Sequence, residues 1–320
     1  MTSPRVTIGI PCFNAQDSIG RAINSALQQD WPNLEILVVD DCSTDDSVSV
    51  IQSYLEGAAT DIKLIQHSQN QGPAGSRNTI LTAASGEFIA FFDDDDESLP
   101  HRIRYQLQTL LAYENHSAAK LIACYASGWR KYANGYTLEL PAIGSQGKSP
   151  PQGPLLAEYL LTYRKVPNWF YGSGIPTCAL LARAATFAAV NGFDAKLRRV
   201  EDADFAIRLS LLGGHFIGTV ESLFVQFSTN APDKSYERNL EASQLIAHKH
   251  RTFLEAVHRY YYALHWPQLR YWHFKRQYGR FVLELLGLLI RYPLPVAKHL
   301  LQTGPQRLQH ERQMSREALP

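Results

Sequence analysis

Four aspartates in a row, Asp93-Asp94-Asp95-Asp96, leave the apolar run Phe88–Phe92. Carboxylates at i and i+2 off a strand end converge on one hard divalent cation, and Mg2+ or Mn2+ so held keeps positions open for phosphate oxygens. The same run also suits a solvated acidic loop or a helix start, where the macrodipole welcomes negative charge. Asp40-Asp41 close a second apolar run, Leu34–Val39. A carboxylate there accepts from a base N–H or a ribose hydroxyl, or it caps the turn that follows. In Gly72-Pro73-Ala74-Gly75-Ser76-Arg77-Asn78 the glycines permit close backbone approach. Arg77 offers a planar fork to a phosphate or to a carboxylate of the protein itself. The segment is neither a P-loop, since no Gly-Lys-Ser/Thr closes it, nor a GxGxxG fingerprint after a first strand. Glu201-Asp202-Ala203-Asp204 opens a helical pattern, where first-turn acids are expected. One of them beside a nucleotide could take a proton from an incoming hydroxyl.

Alternating strands and helices must position these residues. Val6–Ile10, Leu34–Val39, Ile62–Ile65 and Phe88–Phe92 read as strands, and Ser18–Gln29, a segment after Asp46 to about Leu55, and Pro73–Ala84 as helices. Pro100 opens a further helix. Continuous apolar strands alternating with helices predict a mostly parallel sheet covered on both faces, with ligands beyond the carboxyl ends of the strands. Three such ends carry Pro11-Cys12-Phe13-Asn14, Asp40-Asp41 and Asp93–Asp96. Further on, Leu121–Ser127 and Ile175–Leu181 read as strands and Asn134–Pro154 as a loop. Leu155–Arg164, Ala184–Val190 and Asp202–Leu212 read as helices, the last with Phe205, Leu209 and Leu212 on one face. From Tyr236 the pattern is wholly helical.

The chain has 320 residues, 45% apolar and 19% charged, which fits a large buried core and excludes disorder, collagen and a disulfide mini-protein. Its formal charge of +1 is a cancellation. Residues 1–232 hold 17 Lys and Arg against 23 Asp and Glu, and residues 233–320 hold 14 against 7. Cys12, Cys42, Cys124 and Cys178 form no CxxC pair, so reduced thiols in a cytosolic protein are expected. No long apolar stretch precedes the first strand, and no signal peptide is expected. Phe281–Ile290 is too short and too interrupted to span a bilayer.

Taken together, six blocks resemble the inverting glycosyltransferases of family 2, which have the GT-A fold. They are Val6-Thr7-Ile8-Gly9-Ile10-Pro11-Cys12-Phe13-Asn14, LEILVVDDCSTDDS, NQGPAGSRN, SGEFIAFFDDDD, NGFD and EDADFAIRL, over roughly residues 5–230. The resemblance implies an α/β GT-A (Rossmann-like) domain over residues 1–232, with residues 233–320 as a helical C-terminal extension. It implies transfer of a sugar from a nucleotide donor, UDP-linked, to a saccharide or lipid-linked acceptor in bacterial cell-surface polysaccharide or glycolipid synthesis, assisted by Mg2+ or Mn2+. By the same resemblance Pro11, Phe13 and Asp41 surround the base, with Asp40 and Asn14 in the nucleotide-sugar set and Arg77 near the base or diphosphate. Asp93-x-Asp95 is then the DxD element, with Asp94 near the ribose and Asp95 and Asp93 on the metal. Asp202 is the general base, and Glu201 helps to hold base or acceptor. Two departures stand out. Asn191 precedes Gly192-Phe193-Asp194 where a glycine is usual, and Leu223–Ser228 lacks the histidine that often approaches the metal. The acidic run is also four long, so the ligating pair can shift by one position.

The tail from Tyr236 interleaves bases with Tyr and Trp, which suits an interfacial helix on an anionic membrane or, equally, a helical pair packed on the core. No motif there supports nucleic-acid binding. His248-x-His250 points its rings to different helix faces and is given no ligand role. Two rival readings are a sugar nucleotidyltransferase, which would want a Gly-rich basic signature after the first strand, and a catalytically silent nucleotide-sugar-binding protein.

Overall fold

The computed structural model describes residues 3–56, 60–228 and 235–316, with side chains through residue 304. The expected boundary near Pro232 lies outside the described residues. In chain order the elements are β1 (Val6–Cys12), α1 (Ile19–Leu27), β2 (Leu34–Asp40), α2 (Ser47–Leu55), β3 (Asp61–Gln66), α3 (Gly72–Ala83), β4 (Phe88–Phe91), β5 (Glu97–Ser98), α4 (Arg102–His116), β6 (Ile122–Lys131), β7 (Thr137–Leu140), α5 (Gly153–Thr162), β8 (Leu180–Arg183), α6 (Ala184–Ala189), α7 (Glu201–Leu211) and β9 (His215–Phe227). They are followed by α8 (Tyr236–Lys249), α9 (Arg251–Ala256), α10 (Tyr260–Phe274), α11 (Tyr278–Arg291) and α12 (Pro293–Arg316). The chain divides into two compact units. The first runs to Lys131 and takes in Thr137–Leu155 and Pro167–Ser228; the second takes in Tyr132–Tyr136, Leu156–Val166 and the helices from α8 on.

In the first unit the strands lie in the order β3-β2-β1-β4-β8-β6-β9-β5, with β7 beside β6. The expected parallel arrangement holds from β3 to β4 and again between β6 and β9. β8 runs antiparallel to both β4 and β6, so the sheet is mixed beyond β4. Side chains alternate across the pleat. Ile8 and Ile10 join Ile19, Ile23, Ile103 and Leu107 in one core layer. On the other face Gly9 lets α3 close in, since a Cβ there would stand 2.4 Å from Ile80 Cγ2. That face also holds Phe91, Phe187, Phe193 and Phe205, whose rings meet at 5.0–5.7 Å.

Three expectations are corrected. Asn134–Pro154 is not all loop, because Thr137–Leu140 pairs antiparallel with β6; its alternation after Asn134-Gly135, with Gly135 at φ +84°, is a hairpin signal. Ile175–Leu181 is not one strand, because Ala179 N donates to Pro176 O and makes a 3-10 turn that delays β8 to Leu180. Leu212 does not share the buried face of Phe205 and Leu209, but lies past the end of α7 and is exposed.

The second unit packs Tyr262, Leu269, Leu288 and Val296 into one cluster and Ala247, Leu254 and Ala263 into another. His299 lies flat between Trp266 and Tyr163, with ring centroids at 3.7 and 4.5 Å. Among the described residues no helix is long and apolar enough to cross a membrane.

Candidate active site at the carboxyl edge of the sheet

β1, β2 and β4 are parallel neighbours, so their carboxyl ends bring Pro11–Asn14, Asp40-Asp41 and Asp93–Asp96 to one edge. Hydrogen bonds lace these loops together. Phe13 N donates to Asp94 Oδ2 at 3.0 Å and leaves the Phe13 ring about half exposed at the surface. Asn14, at φ +50°, accepts from Thr44 N at 2.8 Å through its side chain and donates to Ser43 Oγ from its backbone at 2.9 Å. Asp41 is buried and spent on structure. Its carboxylate accepts from Gln71 N at 2.8 Å and Gly72 N at 2.7 Å and meets His67 Nδ1 at 2.8 Å, which pins the start of α3. Asp40 accepts from Ser43 N at 3.2 Å through Oδ2, while its buried Oδ1 has no hydrogen-bond partner.

Arg77, buried on α3, joins two acidic segments. Nη1 donates to Glu201 Oε1 at 2.5 Å and Nη2 to Asp93 Oδ1 at 3.4 Å, and the guanidinium lies 5.7 Å from the centre of the Phe193 ring. Of the two roles the sequence leaves open for Arg77, the structure shows the carboxylate partner. Glycine is required at position 72, the start of α3, because φ is +80° and a Cβ would meet Arg198 Cδ at 2.9 Å.

The four aspartates part company. Asp93 faces Arg77, and the main-chain oxygen of Asp95 accepts from Arg21 Nη2 at 2.6 Å. Burial first, then the charges of Asp95 and Asp93, pushes Asp94 up to about 7 against the bond from Phe13 N. Asp96 is buried, accepts from Phe227 N at 3.3 Å, and is raised to about 8 by burial and by Asp93 and Asp95. Its Oδ2, the Cys178 thiol apart, meets no donor. Donor atoms of Asp93, Asp96 and Cys178 fall within 4.8 Å of one another, and Gln226 Nε2 donates to Cys178 Sγ at 3.3 Å. Asp93 and Asp96 are thus gathered here as potential cation ligands, with Asp95 between them in the chain. Cys178 carried no signal in the sequence, since nothing in its spacing marks a ligand; Asp96 was signalled only by the length of the run.

α7 begins behind Val200, a β-branched residue at φ +59°. Such a conformation costs of order 1–3 kcal/mol. The helix start sets Glu201 against Arg77 and leaves Asp202 partly buried, with Oδ1 accepting from Ala203 N at 2.7 Å. Burial first, then the Glu201 charge, raises Asp202 to about 6, with Arg77 opposing and Asp93 adding. Asp202 in turn helps hold the buried Tyr125 hydroxyl protonated. A cavity lined by Tyr125, Arg130, Pro141, Gly174 and Gln226 opens beside these groups. Arg130 is fixed there by Gln226 Oε1 at 2.7 and 3.1 Å. The edge therefore combines acids able to hold a hard cation, three carboxylates that change charge near neutrality, and a cavity beside Tyr125.

The model for glycosyl transferase family 2 matches residues 7–185. A Campylobacter jejuni protein, GalNAc(5)-diNAcBac-PP-undecaprenol beta-1,3-glucosyltransferase, is 42% identical over 96 residues, 30% of this chain and 31% of its own length. The match thus spans under a third of that relative. The crystal structure of S. aureus TarS 1-349 in complex with UDP-GlcNAc superposes with TM-score 0.59 at 22% identity, covering 86% of this chain and 74% of that one. Mannosyltransferase PcManGT from Pyrobaculum calidifontis, in complex with GDP-Man and Mn2+, superposes with TM-score 0.54 at 18% identity over 96% of this chain and 81% of its own. Both likenesses are to the fold.

Proposed function

Because the chain belongs to glycosyltransferase family 2, we propose that it transfers a sugar, with inversion, from a UDP-linked donor to a hydroxyl of a saccharide or lipid-linked acceptor in bacterial cell-surface polysaccharide or glycolipid synthesis. One observation carries the reading: a single buried guanidinium, Arg77, ties the carboxylates after β4 to the helix start that presents Asp202. The donor's diphosphate lies at the Asp93–Asp96 loop and its nucleoside against Pro11, Phe13, Asn14 and Asp40. Asp94 stands near the ribose, and Asp41 acts through the loop it pins. The sugar enters the cavity beside Tyr125 and Gln226.

Asp202, at about 6, is ionised at neutral pH yet basic enough to accept a proton. It takes that proton from the acceptor hydroxyl as the oxygen attacks the anomeric carbon opposite the departing nucleotide, and this single displacement inverts the centre. General-base assistance of this kind is worth about 10²–10⁴-fold. Glu201, held by Arg77, keeps the base in place. Mg2+ or Mn2+ fits the carboxylate loop, because Asp96 Oδ2 is a buried oxygen short of a partner beside Asp93, and these hard donors suit hard cations. Asp93 with Asp95 or Asp96 would hold it. When bound, it supplies positive charge to the leaving diphosphate.

Three likenesses support the choice of donor, acceptor and metal: TarS was crystallised with UDP-GlcNAc, PcManGT with Mn2+, and the Campylobacter relative is named for an undecaprenol-linked acceptor. The four free cysteines suit a reducing cytoplasm, and the basic segment of residues 236–320 suits contact with the inner face of the membrane. The test is release of UDP from UDP-sugars with Mn2+ or Mg2+, in the wild type and in Asp202→Asn. The variant is expected to lose at least about 10²-fold in transfer while still binding UDP. Full transfer by Asp202→Asn would reject the assignment.

A further inference from the structure

α11 has two faces. One is built into the second unit, where Leu288 is fully buried and Phe281, Leu285 and Leu289 pack around it. The other carries Gly279, Val282, Leu283, Leu286 and Ile290, spaced three and four apart, so they form one stripe along about three turns. Leu283 is 72% exposed and Ile290 81%. No charged or polar side chain of α11 interrupts the stripe. α12 adds Leu294 and Leu301, at 71% and 77% exposure. Single exposed leucines are ordinary on a protein surface, but an unbroken run on one helix face marks a partner.

The borders of the stripe say which partner. Arg280 lies over the Trp272 ring at 4.6 Å, Arg291 over the Tyr261 ring at 4.2 Å, and Lys298 is exposed on α12. The single acid between Tyr278 and Gly304 is Glu284, and His265 engages it. Cations therefore flank the apolar face, while the helix itself, 14 residues or roughly 21 Å, is too short to cross a hydrocarbon core. An apolar stripe with basic edges and tyrosine at its start matches a helix lying in the plane of a bilayer surface.

We propose that α11 is an in-plane docking surface for an anionic bilayer, with Val282, Leu283, Leu286 and Ile290 at the acyl boundary and Arg280, Arg291 and Lys298 at the headgroup phosphates. This deepens the membrane reading given above by naming the face, and it is measured without any glycosyl transfer, so the two stand or fall separately.

The test is co-sedimentation of the full chain with phosphatidylcholine vesicles and with vesicles in which roughly a third of the lipid is phosphatidylglycerol. The wild type is expected to bind the anionic vesicles at least about tenfold more tightly. Leu283→Glu with Ile290→Glu is expected to weaken that binding at least about tenfold while the circular dichroism spectrum stays unchanged. Arg280→Gln with Arg291→Gln should lower the preference for anionic lipid and leave the fold intact. Three results overturn the proposal: no vesicle binding by the wild type, equal binding by the Glu pair, or a solution dimer that the Glu pair splits without any effect on lipid. The last would assign the stripe to a second copy of the chain.

Discussion

Replacing Arg77 by Gln moves the pH at which the enzyme switches on. Four groups act on Asp202 besides burial: Glu201 and Asp93 raise it, Arg77 and the bond from Ala203 N lower it, and the outcome is about 6. Tyr125, protonated and buried, adds no charge. A unit charge close by shifts a carboxyl by roughly one to three units. Arg77 ranks below burial and Glu201 here, which places its share at the lower end. Arg77→Gln removes that cation and leaves Glu201 and Asp93 uncompensated, so Asp202 rises to roughly 7. As the proposed base, Asp202 must be ionised to act, so the rate is expected to fall as pH drops through this value. At pH 6 the ionised fraction goes from about a half to about a tenth, roughly a fivefold loss that vanishes above about pH 8.5. The assay is the initial rate of transfer from pH 5 to 9 with donor and Mn2+ saturating. Saturation matters because Asp96, at about 8, must lose its proton to serve as a cation ligand, and a limb due to it moves with Mn2+ concentration. The Asp202 limb does not. An acid limb with the same midpoint in both proteins, or one displaced to lower pH in Arg77→Gln, refutes the reasoning.

Other outcomes are expected. Isothermal titration of UDP with Mn2+ should show Asp93→Asn losing at least about tenfold in affinity, and comparison of Asp95→Ala with Asp96→Asn identifies the second ligand; unchanged affinity in all three rejects the cation site. Glu35 is buried and accepts from Thr7 Oγ1 at 2.7 Å and Ser85 N at 2.9 Å, and these bonds outweigh burial to hold its carboxyl below the usual 4.5. Glu35→Ala should therefore cost about 1–3 kcal/mol in urea unfolding at pH 7. That difference should shrink as pH falls below about 4.5, because the stabilisation of a depressed carboxyl is lost as it protonates. Gly72→Ala should destabilise by at least about 1 kcal/mol and lower the melting temperature, since alanine is strained at φ +80° and meets Arg198.

Strands buried on both faces announce themselves as continuous apolar runs, so β1, β2 and β4 and the residues at their ends were legible. Beyond β4 the sheet was legible only in part: Leu121–Ser127 falls on β6, but its neighbours β7 and β8 were misread. β7 is a four-residue strand with three of its residues not fully buried, and β8 starts late because Pro176 and Ala179 close a turn first. The direction of β8 depends on the long connection before it, which no local pattern encodes. At the site, residue types foretold a cluster of acids but not how one buried arginine divides them. Arg77 lies 16 residues from Asp93 and 124 from Glu201, and only the fold joins the three. Cys178 reaches the acidic loop from the turn before β8 and gave no warning. Asp41 shows the opposite limit, since a carboxylate whose type suits a nucleoside is already used by two backbone N–H groups and a histidine.

Val200 holds a left-handed backbone immediately before Glu201 and Asp202. A branched side chain there resists the conformation that the start of α7 demands, so folding energy is stored beside Asp202. Relief is chemically simple. Glycine or asparagine adopts the same backbone at little cost, and either at position 200 would raise the melting temperature of the chain. Glycine would also widen the range of backbone states open to the two carboxylates that follow. The position is therefore a place where heat resistance and turnover pull in opposite directions, and a selection for thermal tolerance alone would be expected to gather slower enzymes there.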